Sequence, residues 1–132
     1  MSAAFSLRLT TNSVAAIFAI LNILHLAYGL PRLRARIAAG EVSAGLATPF
    51  TIAWLYVGLS GLALSILLFV AAPGIASGND VARKIVVTIA LTLVVLGMSA
   101  FAVARQHPGL LIISLFGIVL LIPVVAFRAH FG

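Results

Sequence analysis

The sequence predicts an all-α, integral membrane four-helix bundle with antiparallel neighbours, and three observations predict it. Of 132 residues, 64% are hydrophobic and only 8% are charged, whereas soluble domains are about half apolar and about a quarter charged. The charges are also clustered, so that the stretches 9–31, 42–79, 85–104 and 106–127 contain no Asp, Glu, Lys or Arg. Each stretch is long enough to cross a hydrocarbon core of about 30 Å, which takes roughly 20 helical residues. Finally, segments such as 17–24 and 93–97 are apolar nearly all round, which leaves no polar outer face of the kind a soluble bundle needs. Lipid is the outer solvent. The period-two alternation of a transmembrane β-barrel is missing from these stretches, and in lipid the backbone amides then have to pair within helices. The chain 1–132 reads as a single four-span transmembrane domain, with spans at about 9–29, 49–72, 81–104 and 108–127.

Helix one is expected to start at Thr11 or Asn12, either of which can cap it, and to stop at Gly29, two residues before Pro31. It reads as a retained span, because its apolar run is longer than the core of a signal peptide and only Arg8 precedes it. The next segment carries Arg32, Arg34 and Arg36. Drawn as a helix, it sets Leu30, Leu33 and Ile37 on one face and Arg32 and Arg36 on the other, as a helix lying in the headgroup layer would. The alternative is a solvated loop whose arginines anchor helix one. Helix two is expected to open with Thr48 as cap and Pro49 as its first residue, and to end at Pro73 and Gly74. Ser77, Gly78 and Asn79 make a turn, and Asn79 or Asp80 can cap helix three, which runs from near Val81 to Ala104. The five-residue link 105–109 forces helices three and four into an antiparallel hairpin. Helix four ends near Phe127, with Pro123 inside it.

Four spans put Arg8, Arg83, Lys84 and Arg128 on one side and Arg32, Arg34, Arg36 and Arg105 on the other. The tie leaves the orientation open and is also what a chain inserted both ways would show. If helix one dominates insertion, the three arginines after it stay in the cytoplasm. The net charge of +6 flanks the spans, which favours anionic lipid headgroups as partners over nucleic acid. The expected home is the plasma (inner) membrane.

An ionisable side chain within a span is costly, about 2.5–3.5 kcal/mol at mid-bilayer, and is a functional candidate for that reason. His25 is the main one. Asn22 lies three residues before it and Tyr28 three after, so the three form a polar stripe on helix one. Trp54 and Tyr56, together with Gln106 and His107, belong to the same half of the bilayer. Asn22, His25, Tyr28, Trp54 and Tyr56 are candidate ligand-binding residues, with His25 the candidate acid or base. Arg32, Arg34, Arg36 and Arg105 are candidate headgroup ligands. Against these stand structural readings: Trp and Tyr as interfacial anchors, and Asn22 and His25 as interhelical hydrogen-bonding groups. Gly58, Gly61 and Ser65 on helix two, like Thr88, Thr92 and Ser99 on helix three, form stripes that let helices approach closely in lipid.

Several chemistries are excluded. The chain has no cysteine, so disulfides and thiolate chemistry are impossible. Its two carboxylates, Glu41 and Asp80, fall in loops on opposite sides and form no acid–base pair. A His pair at i, i+4 for zinc and a Gly-rich phosphate loop are likewise missing from the sequence. No metal and no cofactor is expected. The leading reading is a noncatalytic accessory, scaffold or apolar-ligand-binding bundle, with membrane lipids and other transmembrane helices as partners. An enzyme acting on a lipid-like substrate through His25 and a small dimeric transporter are the alternatives.

Overall fold

The computed structural model describes Ser2–Gly132. Its long helices are α1 (Ala3–Leu24), α2 (Leu30–Ala38), α3 (Ala44–Ala76), α4 (Asp80–Val103) and α5 (Leu111–Ala126), with a π-helical turn, His25–Gly29, joining α1 to α2. Four helical stretches are long and apolar enough to cross a bilayer: Ala3–Ala38, Ala44–Ala76, Asp80–Val103 and Pro108–Ala126. The protein is an all-α four-helix membrane bundle.

The helix ends differ from the sequence expectation at four places. Helix one begins at Ala3, because Ser2 supplies the cap: its hydroxyl accepts from the Phe5 N–H at 3.3 Å. Thr11 is buried within the helix and donates its hydroxyl to the Leu7 carbonyl at 2.8 Å. Helix one also does not stop at Gly29. Proline inside a helix clashes with the carbonyl four residues back and leaves it without a donor, and here the turn before Pro31 widens to a π-helix. Gly29 and Leu30 keep right-handed helical angles, so the arginine segment is a helix that continues helix one directly.

Helix two extends beyond both of its expected ends. Ser43 precedes it, its carbonyl accepting from Leu46 and Ala47, so the helix starts a turn before Pro49. It continues past Pro73 to bury Ile75 completely, and ends where Gly78 takes a positive φ of 78°. There the Asn79 N–H reaches back to the Gly74 carbonyl at 2.9 Å, a Schellman-type ending. Asn79 then caps α4, its side chain accepting from the Ala82 N–H at 2.9 Å.

The chain divides into two compact units. One comprises α1 up to Ala15, α3 from Leu67 onward, and all of α4 and α5, so all four spans contribute to it. The buried apolar core lies here, at helical spacing on each element: Leu7, Val14 and Ala15; Leu68, Ala71, Ala72 and Ile75; Ala82, Val86, Ile89, Ala90 and Leu93; Leu120 and Val124. Small residues set the α4–α5 contact. A Cβ on Gly97 would strike Ser114, and one on Gly117 would strike the Ala90 carbonyl. The Ser114 hydroxyl donates across this contact to the Val94 carbonyl at 3.0 Å. At the α3–α4 turn, His130 Nε2 bonds the Ala76 carbonyl at 2.9 Å, tying the C-terminal segment to the last turn of α3. The remaining surface is apolar, with Val70, Val95, Ile122 and Val125 more than three-fifths exposed, as suits a lipid-facing exterior.

Candidate functional site

The second unit, Ala16–Ile66, holds the end of α1, the π turn, α2 and the first two thirds of α3. Helix one and α3 pack closely here because large residues on one meet glycines on the other. A Cβ on Gly61 would coincide with the Asn22 carboxamide, one on Gly58 with the Leu26 side chain, and one on Gly29 with the Trp54 indole. The small stripe read at Gly58 and Gly61 is thus a seat for helix one. Ser65, one turn further along it, is buried and donates to the Gly61 carbonyl at 2.9 Å.

His25 sits at the π turn and stacks on Trp54, the ring centroids 4.4 Å apart and the planes 9° from parallel. Two hydrogen bonds frame the stack. The Trp54 Nε1–H donates to the His25 backbone carbonyl at 3.2 Å, and His25 Nε2 lies 3.2 Å from the Trp54 carbonyl. A carbonyl oxygen only accepts, so Nε2 carries a proton and donates it. Each residue gives its side-chain N–H to the other's backbone. Asn22 is buried and donates from Nδ2 to the Phe18 carbonyl at 2.8 Å.

The other sequence candidates separate from this pair. Tyr28 and Tyr56 point outward, 62% and 73% exposed. Arg36 is tied to Glu41 through a 2.6 Å ion pair, which is well exposed and contributes little to stability. Arg32 and Arg34 stand on α2 with no acidic partner among the described residues. Arg105 and His107 are exposed in the α4–α5 link of the first unit.

A groove of about 330 Å³ opens between α2 and the start of α3, lined by Arg34, Ile37, Ala38, Ala47, Thr48, Thr51 and Ile52. The Thr51 hydroxyl donates to the Ala47 carbonyl at 2.8 Å. Two shallow apolar grooves mark the first unit, one along α4 at Thr88, Thr92 and Val95 and one at Met98, Leu111 and Leu115. Among the described residues, no three His, Cys, Asp or Glu side chains gather as a metal donor set. Comparison with family models, curated proteins and solved structures gave no match.

The sequence points to His25, Asn22 and Trp54, and to Gly58 and Gly61 as a close-packing stripe, but not to Gly29 as the seat of the Trp54 indole. In the sequence Gly29 has the signature of a helix stop, but it also lies four residues after His25 on the same stripe, the spacing of a packing position. The α2–α3 groove needs both the continued helix and the early start of α3, and no local signal announces either.

Proposed function

We propose that this protein is a noncatalytic accessory or scaffold subunit of a membrane, packing against other transmembrane helices. The mutual pairing of His25 and Trp54 carries the reading. The imidazole that would serve as acid or base commits its N–H to a neighbouring backbone and its face to an indole. A general acid has to hand its ring proton to the substrate, whereas His25 gives its Nε2 proton to the Trp54 carbonyl. Asn22 is likewise spent on its own helix and on Gly61. These groups serve helix packing, and the partner surface lies on the outward apolar faces. The proposed location is the plasma (inner) membrane, and the proposed partners are lipids and transmembrane helices of a second copy or another subunit.

The cysteine-free sequence makes a direct test available. Single cysteines at outward positions such as Val95, 62% exposed on α4, should give specific disulfide-linked species in native membranes for one helix face and not for the others. Lipid-facing cysteines that never crosslink, together with a lone monodisperse monomer on gentle extraction, would defeat the proposal. So would turnover of a lipid-like substrate that His25→Phe abolishes without loss of fold.

A further inference from the structure

We infer that the groove between α2 and the first turns of α3 binds the headgroup of an anionic phospholipid drawn from the surrounding bilayer. The inference goes beyond the scaffold reading and does not depend on it. The groove, about 330 Å³, is at the lower end of the size range of small-ligand sites. Its polar lining is one guanidinium, from Arg34, and two hydroxyls, from Thr48 and Thr51. The apolar lining comes mainly from Ile37 and Ile52, the latter 60% exposed. A cation and the Thr48 hydroxyl beside an exposed apolar wall match a phosphate attached to glycerol and acyl chains, while Thr51 gives its proton to the Ala47 carbonyl. A free phosphate would leave the apolar wall in water.

Charge assigns the phosphate to Arg34. The chain has two carboxylate side chains; Glu41 pairs with Arg36, while Asp80 pairs with Arg83 and Lys84 in the other unit. The Arg34 fork therefore faces the groove with its charge uncompensated and can grip two phosphate oxygens. Position supplies the ligand. Residues 9–31 carry no charge and Arg32 and Arg34 follow at once, so the guanidiniums stand where the span leaves the hydrocarbon and anionic headgroups concentrate. The walls are held by a short reversal, with Gly40 at a positive φ of 78° and the Gly40 N–H bonded to the Ile37 carbonyl.

Native mass spectrometry of the full chain released from phosphatidylcholine nanodiscs containing a minority of phosphatidylglycerol tests this. The wild type should retain one phosphatidylglycerol in preference to phosphatidylcholine. Arg34→Gln should lower that retention by about tenfold or more, the loss of one charge-assisted bond. Thr48→Val leaves charge and shape nearly unchanged and should lower it by about threefold, the worth of an ordinary hydrogen bond. The double variant Arg36→Gln/Glu41→Gln, with net charge unchanged, should retain lipid as the wild type does. Full retention by both Arg34→Gln and Thr48→Val would overturn the inference. An effect of Arg34→Gln that Arg105→Gln reproduces, with none from Thr48→Val, would reduce it to surface potential and overturn it as well. Displacement of the lipid by an equal concentration of inorganic phosphate would assign the groove to a soluble anion instead.

Discussion

Gly61→Ala should destabilise the protein, although alanine is the better helix former. A methyl group at Gly61 would occupy the space of the Asn22 carboxamide. Asn22 is 7% exposed and holds the Phe18 carbonyl at 2.8 Å, so moving it aside disturbs a buried, bonded group. Overfilling a packed site costs about 1–3 kcal/mol, and displacing the carboxamide also disturbs its bond to the Phe18 carbonyl within helix one. The propensity gain of alanine over glycine returns about 0.5–1 kcal/mol. The net expectation is a loss of about 1–2 kcal/mol.

Gly45→Ala is the matched control on the same helix. Nothing lies within 4 Å of a Cβ there, so only the propensity term acts, and the change should stabilise by up to about 1 kcal/mol. Reversible unfolding in mixed micelles with rising dodecyl sulfate, followed by far-ultraviolet circular dichroism, reads both. Trp54 is the single tryptophan and lies in the same interface, so its emission reports locally. If Gly61→Ala and Gly45→Ala move the midpoint equally and in the same direction, helix one does not seat on the glycine face of α3.

Three further substitutions probe the other contacts. Trp54→Phe keeps a ring over His25 but removes the donor to the His25 carbonyl, and should cost about 1 kcal/mol in the same titration. Ser114→Ala deletes the bond to the Val94 carbonyl and should cost about 0.6 kcal/mol, whereas Ser114→Leu, which would drive into Gly97, should cost several times more. Asn79→Ala removes the α4 cap and should lower stability by about 0.5–2 kcal/mol, while Asn79→Asp, which keeps an acceptor oxygen, should be close to wild type in thermal unfolding.

The spans were legible in the sequence because they depend on composition over some twenty residues, and lipid tolerates no other reading of 85–104 or 106–127. Asn79 was legible for a local reason: a polar cap beside an αL glycine is short-range chemistry. Helix ends that depend on proline were not. Pro31, Pro49 and Pro73 all read as boundaries, yet each lies within or beside continuing helix. A proline costs roughly 3 kcal/mol in a helix interior. Burying Ile75 offsets part of this at Pro73, while widening the preceding turn relieves the clash at Pro31. Both remedies depend on distant contacts or on backbone geometry, which single-sequence patterns do not carry.

The polar stripe on helix one and the small stripe on helix two looked like separate features, one a candidate site and the other a packing signal. In the structure they are two sides of one fit. Asn22 meets Gly61, Leu26 meets Gly58, and the order of sizes then reverses so that Gly29 meets Trp54. That reversal fixes the register. Sliding helix one by a turn in one direction would bring Leu26 against the Trp54 indole, two large side chains at a distance built for a glycine. Sliding it the other way would set Gly29 opposite Gly58 and leave a void, and voids forfeit packing contacts in lipid as they do in water. The His25–Trp54 exchange of hydrogen bonds forms at this register, because each donor needs the other residue's carbonyl at the same height. The same exchange ties the two spans at one height, and interhelical hydrogen bonds of this kind are one way polar groups align helices in membranes.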